Sequence, residues 1–142
     1  PNPCHEALAI LEEKGYLKAI ITQNIDGLHQ MAGSKNVIEL HGSIHRNYCM
    51  KCHKLYALED ITFDSIPRCS CGGIIKPDVV LYEEALNDGV IEKAIYEISN
   101  ADTLIVAGTS LVVYPAASFV KFFRGRNLIV INLGNIAVWG LI

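Results

Sequence analysis

Two groups of residues in this sequence have the types and spacing that chemistry needs. The first is Cys49-Met50-Lys51-Cys52, followed after sixteen residues by Cys69-Ser70-Cys71-Gly72-Gly73. Four thiolates in two close pairs suit zinc, which takes sulfur at the four corners of a tetrahedron. Four protein ligands leave no position open for water, so such a site is structural. Gly72-Gly73 is expected to let backbone amides point back at sulfur. The second pair departs from the common spacing, with one intervening residue rather than two. Two disulfides or four free thiols are the competing readings, and disulfides would suit a secreted chain. The helix-and-sheet pattern instead looks intracellular and cytoplasmic, where thiols stay reduced, and this favours zinc. His53, beside Cys52, is an alternative ligand. Cys4 stands apart on the apolar face of a helical segment and reads as a small core residue.

The second group lies between Ile20 and Gly42. The apolar run Ala19-Ile20-Ile21 meets Thr22, Gln23, Asn24 and Asp26, and the run Val37-Ile38 with Leu40 meets His41 and Gly42. Short β-branched runs bounded by turn residues read as buried strands of a sheet covered on both faces. Ligands sit outside the carboxyl ends of such strands. Two adjacent strand ends would deliver amides, a carboxylate and an imidazole to one crevice. Each residue also has a plain explanation. Asn24, Asp26 and Gly27 suit a turn, and His41 could simply bond a carbonyl. Taken together, the polar groups on two strand ends point to a site. A neutral imidazole can accept a hydroxyl proton near neutral pH, which makes His41 a candidate general base.

The elements that must hold these groups are legible along the chain. Asn2 caps a helix with Pro3 at its first position; Cys4, Leu8 and Leu11 recur on one face, and Lys14-Gly15 ends it. A short helix follows through Leu28 and Met31. After the cysteine module, Lys76-Pro77-Asp78 leads into the apolar run Val79-Val80-Leu81. Asn87-Asp88 then caps a helix with Ile91, Ala94, Ile95 and Ile98 on its core face. Thr103 to Ala107 is a buried strand ending in Gly108-Thr109-Ser110, where small residues admit a ligand and hydroxyls can bond phosphate or ribose oxygens. Pro115 is expected to start a helix with Ala116, Phe119, Val120 and Phe123 inward and Gly125 closing it, before a last strand, Leu128 to Ile131, ends at Asn132. Alternating strands and helices predict an α/β fold, a Rossmann-like parallel sheet with helices on both faces and right-handed crossovers. A zinc-ribbon module over 46–74 is inserted into a domain formed by 1–45 and 75–142.

Bulk properties narrow the function classes. A chain of 142 residues, 51% hydrophobic and 19% charged, has the composition of a globular protein with one core. No apolar run approaches the ~20 residues that span a bilayer, so no membrane partner is expected. There is no signal-peptide pattern, because Pro1-Asn2-Pro3 leads straight into a helix. A net charge of -3 and a pI near 5.9 argue against nucleic acid as a ligand. Lys121, Arg124 and Arg126 read as a solvated helix end complementing the dipole.

Over nearly its whole length the chain resembles the sirtuins, NAD-dependent protein lysine deacylases. The resemblance lies in Thr22-Gln23-Asn24-Ile25-Asp26-Gly27-Leu28-His29, Glu39-Leu40-His41-Gly42-Ser43, both cysteine pairs, Pro77-Asp78-Val79-Val80, Gly108-Thr109-Ser110-Leu111 with Val113-Tyr114-Pro115-Ala116-Ala117, and Ile131-Asn132. It implies that Gln23, Asn24 and Asp26 hold nicotinamide and its ribose, and that His41 takes a ribose hydroxyl proton. It further implies that Gly108, Ser110 and Asn132 contact the adenosine half of NAD. Val80 and Tyr82 would line the channel for an acylated lysine, whose peptide pairs with the backbone as an added strand. Cys49, Cys52, Cys69 and Cys71 would hold one structural zinc. The implied reaction is transfer of an acyl group from lysine in a protein or peptide to ADP-ribose, with release of nicotinamide. A zinc-ribbon module that only binds a protein partner, and ADP-ribosyl transfer to another acceptor, are the alternatives. The family's opening glycine-rich stretch is absent, so the chain reads as an amino-terminally truncated sirtuin domain. It is expected to bind NAD weakly, having lost the amides that cradle pyrophosphate. Glu83 stands where the family usually has glycine, and the tail from Trp139 to Ile142 has no counterpart in the pattern.

Overall fold

Local hydrogen bonding begins the chain as its residue types require. The Asn2 side chain accepts from the Cys4 and His5 amides at 3.0 and 3.2 Å, Pro3 follows at the first helical position, and helix α1 runs Pro3–Glu13. Gly15 takes φ +76°, and Leu17 N–H bonds back to Leu11 O, so the chain turns off the helix. The structure, a computed structural model, describes residues 1–110, 114 and 116–134. It divides into two compact units, Pro1–Leu86 and Asn87–Ile142. No helix among the described residues is long and apolar enough to cross a membrane.

In the first unit β1 (Ile20–Thr22) and β2 (Val37–Glu39) pair in parallel, joined by helix α2 (Leu28–Met31). The register sets Ile20 beside Val37 and Thr22 beside Glu39, so the two carboxyl ends finish level. Ile20, Ile38 and Leu40 are buried beneath them. The expected apolar stripe of α1 packs only in part, through half-buried Leu8. Cys4 is exposed and Leu11 is 37% exposed, while His5, Ala9 and Glu12 face the neighbouring elements. The His5 ring lies 4.7 Å from that of His29, and Ala9 sits against Gly33. Glu12 accepts from the Lys35 and Asn36 amides at 2.9 and 2.7 Å, which holds its carboxyl below the usual carboxylate range. Cys4 is therefore not a core residue. From another side of α1, Glu12 supplies the acceptor for two backbone amides of the loop that leads into β2.

The same unit contains an antiparallel sheet in the order β4-β3-β5, from Gly42–Cys49 (β3), Leu55–Ala57 (β4) and Ile75–Val79 (β5). Pro77 lies inside β5 opposite Asn47, where the register shifts between Ser43 and Asn47. An irregularity at a sheet edge is where proline, lacking an N–H, is tolerated. The apolar run Val79-Val80-Leu81 is thus the end of an antiparallel edge strand and the turn after it.

In the second unit Asn87 caps α3 (Asp88–Ser99), and Ala94 and Ile98 are its buried residues. Strands β6 (Thr103–Ala107) and β7 (Asn127–Ile131) pair in parallel from Thr103 beside Asn127 to Ala107 beside Ile131. The expected burial of β6 holds only for Val106, with Ile105 43% exposed, and in β7 Ile129, Val130 and Ile131 are 41–60% exposed. A two-stranded sheet has two edges and two faces, and among the described residues one helix and one 3₁₀ segment accompany it. The segment between them, Ala116–Phe122, is 3₁₀-helical rather than α-helical, with Phe119 and Val120 buried. Its expected start at Pro115, the motif residues Leu111 and Val113, and the tail Trp139–Ile142 lie outside the described residues. Arg124 does complement the end of the turn, donating to the Lys121 and Phe123 carbonyls. Gly125 is required by space, since a Cβ there would sit 2.3 Å from Ala101 O.

Candidate functional site

The hairpin end of β3 and β4 and the start of β5 bring Cys49, Cys52, Cys69 and Cys71 together, all four sulfurs within 4.8 Å of one another. Cys49 Sγ lies 3.5 Å from Cys71 Sγ, and Cys52 Sγ 3.6 Å from Cys69 Sγ. Sulfurs about 2.3 Å from a central zinc in a tetrahedron stand about 3.8 Å apart, so the donor set fits this metal. Backbone N–H groups of Lys51 and Cys52 approach Cys49 Sγ at 3.4 and 3.5 Å. The Cys69 thiol is drawn down to about 5 by the Cys71 backbone N–H and then by the Tyr56 hydroxyl. The same contact with Cys69 pushes the Tyr56 hydroxyl up to about 12. Cys52 also rises to about 12; the Lys54 amide pulls it down, but sharing protons with Cys71, Cys49 and Cys69 outweighs this. Cys69 and Cys49 thiols both drawn toward thiolate, with the Tyr56 hydroxyl donating to Cys69, suit a cation site.

The glycines after Cys71 act differently from expectation. The amides that face sulfur come from Lys51, Cys52, Lys54 and Cys71 rather than from the glycines, whereas Gly73 is needed for space: a Cβ there would lie 2.6 Å from Cys49 Sγ and 2.7 Å from Lys51 Cβ. Gly72 supplies the left-handed turn at φ +81°. His53 does not join the sulfurs. It has φ 58° and lines a groove of about 290 Å³ with Arg46, Tyr48 and Asp78. Tyr56 was missed from sequence, because no spacing rule connects it to Cys69; strand register does.

The second group assembles where β1 and β2 end. His41 Nδ1 lies 3.0 Å from the Gln23 carbonyl. A carbonyl oxygen only accepts, so Nδ1 carries the proton and Nε2 keeps its lone pair. Asn24 is exposed, its backbone N–H donating to Thr22 Oγ1 at 3.1 Å while its side-chain amide is left over. Asp26 Oδ1 accepts from Leu28 N–H at 3.0 Å and so starts α2. Gly27, at φ 69°, leaves room for the His45 ring, which a Cβ would meet at 2.8 Å, and His45 Nε2 bonds Asp26 O at 3.0 Å. The turn reading of Asn24, Asp26 and Gly27 and the carbonyl-bonded reading of His41 therefore both hold, without using up the Asn24 amide or the His41 Nε2. Ile44 N–H reaches Ile25 O and Val80 N–H reaches His41 O, tying the loop and the β5 end to the same place. Val80 is half-buried and Tyr82 fully exposed.

Glu12 and Asn36 also position this site and carried no signal in the sequence. Asn36 donates to Lys18 O at 2.7 Å and accepts from Ile20 N–H, fixing the β1–β2 register. Gly108, Ser110 and Asn132 belong to the second unit. Gly108 has φ 62° and donates to Ile131 O, Ser110 is exposed, and Asn132 donates to Gly134 O.

Comparison with known proteins follows this geometry. Residues 1–115 match the model of the Sir2 family. The chain is 64% identical over 135 residues to a protein of Clostridium acetobutylicum named NAD-dependent protein deacetylase, and 50% identical over 133 residues to one of the same name from Staphylococcus aureus. Each alignment covers 93% of this chain and 55% of the relative, so the chain spans about half the length of the relatives it matches. Among solved structures, a Sir2 complex with p53 peptide and NAD+ superposes with a TM-score of 0.90 at 45% identity, covering 99% of this chain and 62% of that one. A Sir2 complex with 2'-O-acetyl-ADP-ribose and deacetylated p53 peptide gives 0.89 at 45%, covering 99% and 63%.

Proposed function

The chain belongs to the Sir2 family, and on that premise we propose that it serves in an NAD-dependent protein lysine deacylase, which transfers an acyl group from lysine to ADP-ribose and releases nicotinamide. The observation that carries the reading is the His41 Nδ1 bond to the Gln23 carbonyl, at the level ends of two parallel strands. It orients the ring and leaves Nε2 as a base. When bound, NAD supplies an electrophilic ribose carbon and nicotinamide as leaving group. His41 Nε2 accepts the proton of a ribose hydroxyl, which raises that oxygen's nucleophilicity. Gln23, Asn24 and Asp26 orient the nicotinamide ribose, Asn24 with an exposed amide and Asp26 from the head of α2. Gly108, Ser110 and Asn132 receive the adenosine half. Val80 and Tyr82 flank the acyl-lysine, and the peptide adds to the backbone there as a strand. Cys49, Cys52, Cys69 and Cys71 hold one zinc that is structural, since no coordination position is left for a substrate. A reduced tetrathiolate fits a cytoplasmic setting, which cell fractionation would check.

Relatives named as deacetylases, and neighbours solved with acetylated peptide, propionylated peptide or acetyl-ADP-ribose, support the substrate class. The test is nicotinamide release by the full-length protein given NAD and an acetyl-lysine peptide. His41→Ala is expected to reduce release about 10²–10⁴-fold; undiminished release refutes the assignment. Label appearing on a protein acceptor instead of acyl-ADP-ribose would replace deacylation by ADP-ribosyl transfer.

A further inference from the structure

Immediately after β5 the chain makes a tight turn. Glu84 N–H bonds Leu81 O at 3.1 Å, closing a four-residue turn through Tyr82 and Glu83. Only the second central residue has a positive φ, 69° at Glu83, which makes this a type II turn. That position favours glycine, because a Cβ crowds the backbone in the left-handed region. The turn keeps its shape through its own clamp: Glu84 Oε2 accepts from Leu81 N–H at 2.9 Å and from Lys76 Nζ at 3.2 Å, and Lys76 Nζ also reaches Val79 O at 3.0 Å.

The other charges near this edge are matched. Asp78 pairs with Arg46 at 3.0 Å, Arg46 also holds Glu39, and Lys76 holds Glu84. Glu83 is exposed and, among the described residues, forms no ion pair. It stands beside fully exposed Tyr82 at the end of β5, which is the outer strand of its sheet in the order β4-β3-β5. A peptide adding along that edge would pass an uncompensated carboxylate.

We propose that Glu83 is a specificity residue that selects acyl-lysine peptides carrying a Lys or Arg close to the acylated position. The proposal rests on the deacylase reading and deepens it. An exposed ion pair of this kind changes affinity modestly, about two- to fivefold, and is screened by salt.

The experiment uses the full-length protein and acetyl-lysine peptides identical except for Lys, Gln or Glu at the flanking positions. At low salt the Lys peptide is expected to exceed the Glu peptide about two- to fivefold in kcat/KM through KM, with kcat unchanged, and the ratio should shrink at high salt. Glu83→Gln and Glu83→Gly should bring the ratio to about one while the Gln peptide is turned over as before. Glu83→Asp, which tolerates the left-handed conformation, should retain the preference. Anisotropy binding of the same labelled peptides reads the ranking independently of turnover. A preference that survives Glu83→Gln, or a wild type that does not rank the peptides, overturns the role of Glu83. Absence of nicotinamide release from every peptide overturns the deacylase reading instead, and the binding ranks still decide Glu83.

Discussion

The cysteine cluster and the paired strand ends of β1 and β2 are built by opposite rules. At the cysteines nearly every polar capacity points inward: sulfurs face sulfurs, the backbone amides of Lys51, Cys52, Lys54 and Cys71 and the Tyr56 hydroxyl point at them, and Gly73 removes the one Cβ that would intrude. At the strand ends the backbone is satisfied while side chains are left over. His41 Nδ1 is taken by Gln23, yet Nε2 stays available, and Asn24 is exposed. A region closed on itself stabilises; a region with side-chain capacity in reserve can react. Both lie in the same unit, so perturbing one while watching the other measures how separable they are.

The largest expected effect comes from the closed region. Chelation of the metal, or Cys49→Ser, should melt the β3–β4–β5 module, because binding to a structural tetrathiolate contributes on the order of 10 kcal/mol. Elemental analysis should show zinc lost, and circular dichroism strand signal lost with it. Retained strand signal without metal would show that the sheet stands alone. His41→Ala breaks the comparison from the other side: zinc content and melting temperature should stay near wild type while catalysis collapses. A joint loss of both would mean the two regions are one structure.

Gly73→Ala sharpens the boundary of the closed region. The added methyl meets Cys49 Sγ and Lys51, and a cost of about 1–3 kcal/mol is expected, read as a lower chemical-denaturation midpoint and weaker zinc retention. Gly72→Ala meets nothing within 4 Å and should act only through its φ of +81°, by about 1–2 kcal/mol.

The smallest effect concerns the α1–α2 packing that supports the open region. His29 titrates below the ordinary histidine range, because it is partly buried and because His5 lies against it, with Asp26 opposing. The unfolded chain therefore binds a proton at His29 more readily than the folded one. Stability is full above the unfolded value near 6.5 and falls as pH drops below it towards the lower folded value. His29→Phe should flatten that part of the pH dependence in denaturant melts taken between pH 7.5 and 5.5. An unchanged slope would exclude His29 as its source.

Much of this was readable before any coordinates. The caps at Asn2 and Asn87, the stop at Gly15, parallel pairing and the four-cysteine set all appeared as expected. The misses share one cause. Cys4 reads as a core residue from helical spacing alone, but it is exposed, and Glu12 on another side of α1 accepts from the Lys35 and Asn36 amides. The expected burial of β6 rests on its β-branched content, which reports strand propensity but not whether a covering element is present. Tyr56 and Asn36 gave no signal because a lone tyrosine or asparagine matches no spacing rule.

Sequence alone determined what depends on neighbours a few residues apart: capped helix starts, glycine-permitted turns, strand ends rich in polar groups, and sulfurs paired on tight loops. These follow from local sterics and from the ligand preference of a metal. Only the tertiary structure decided the proton position on His41, the donor to Cys69, the tight fit at Gly73 and the unmatched charge of Glu83. Each of these depends on the register between segments distant in sequence, and a one-residue slip would have given every one of those groups a different partner.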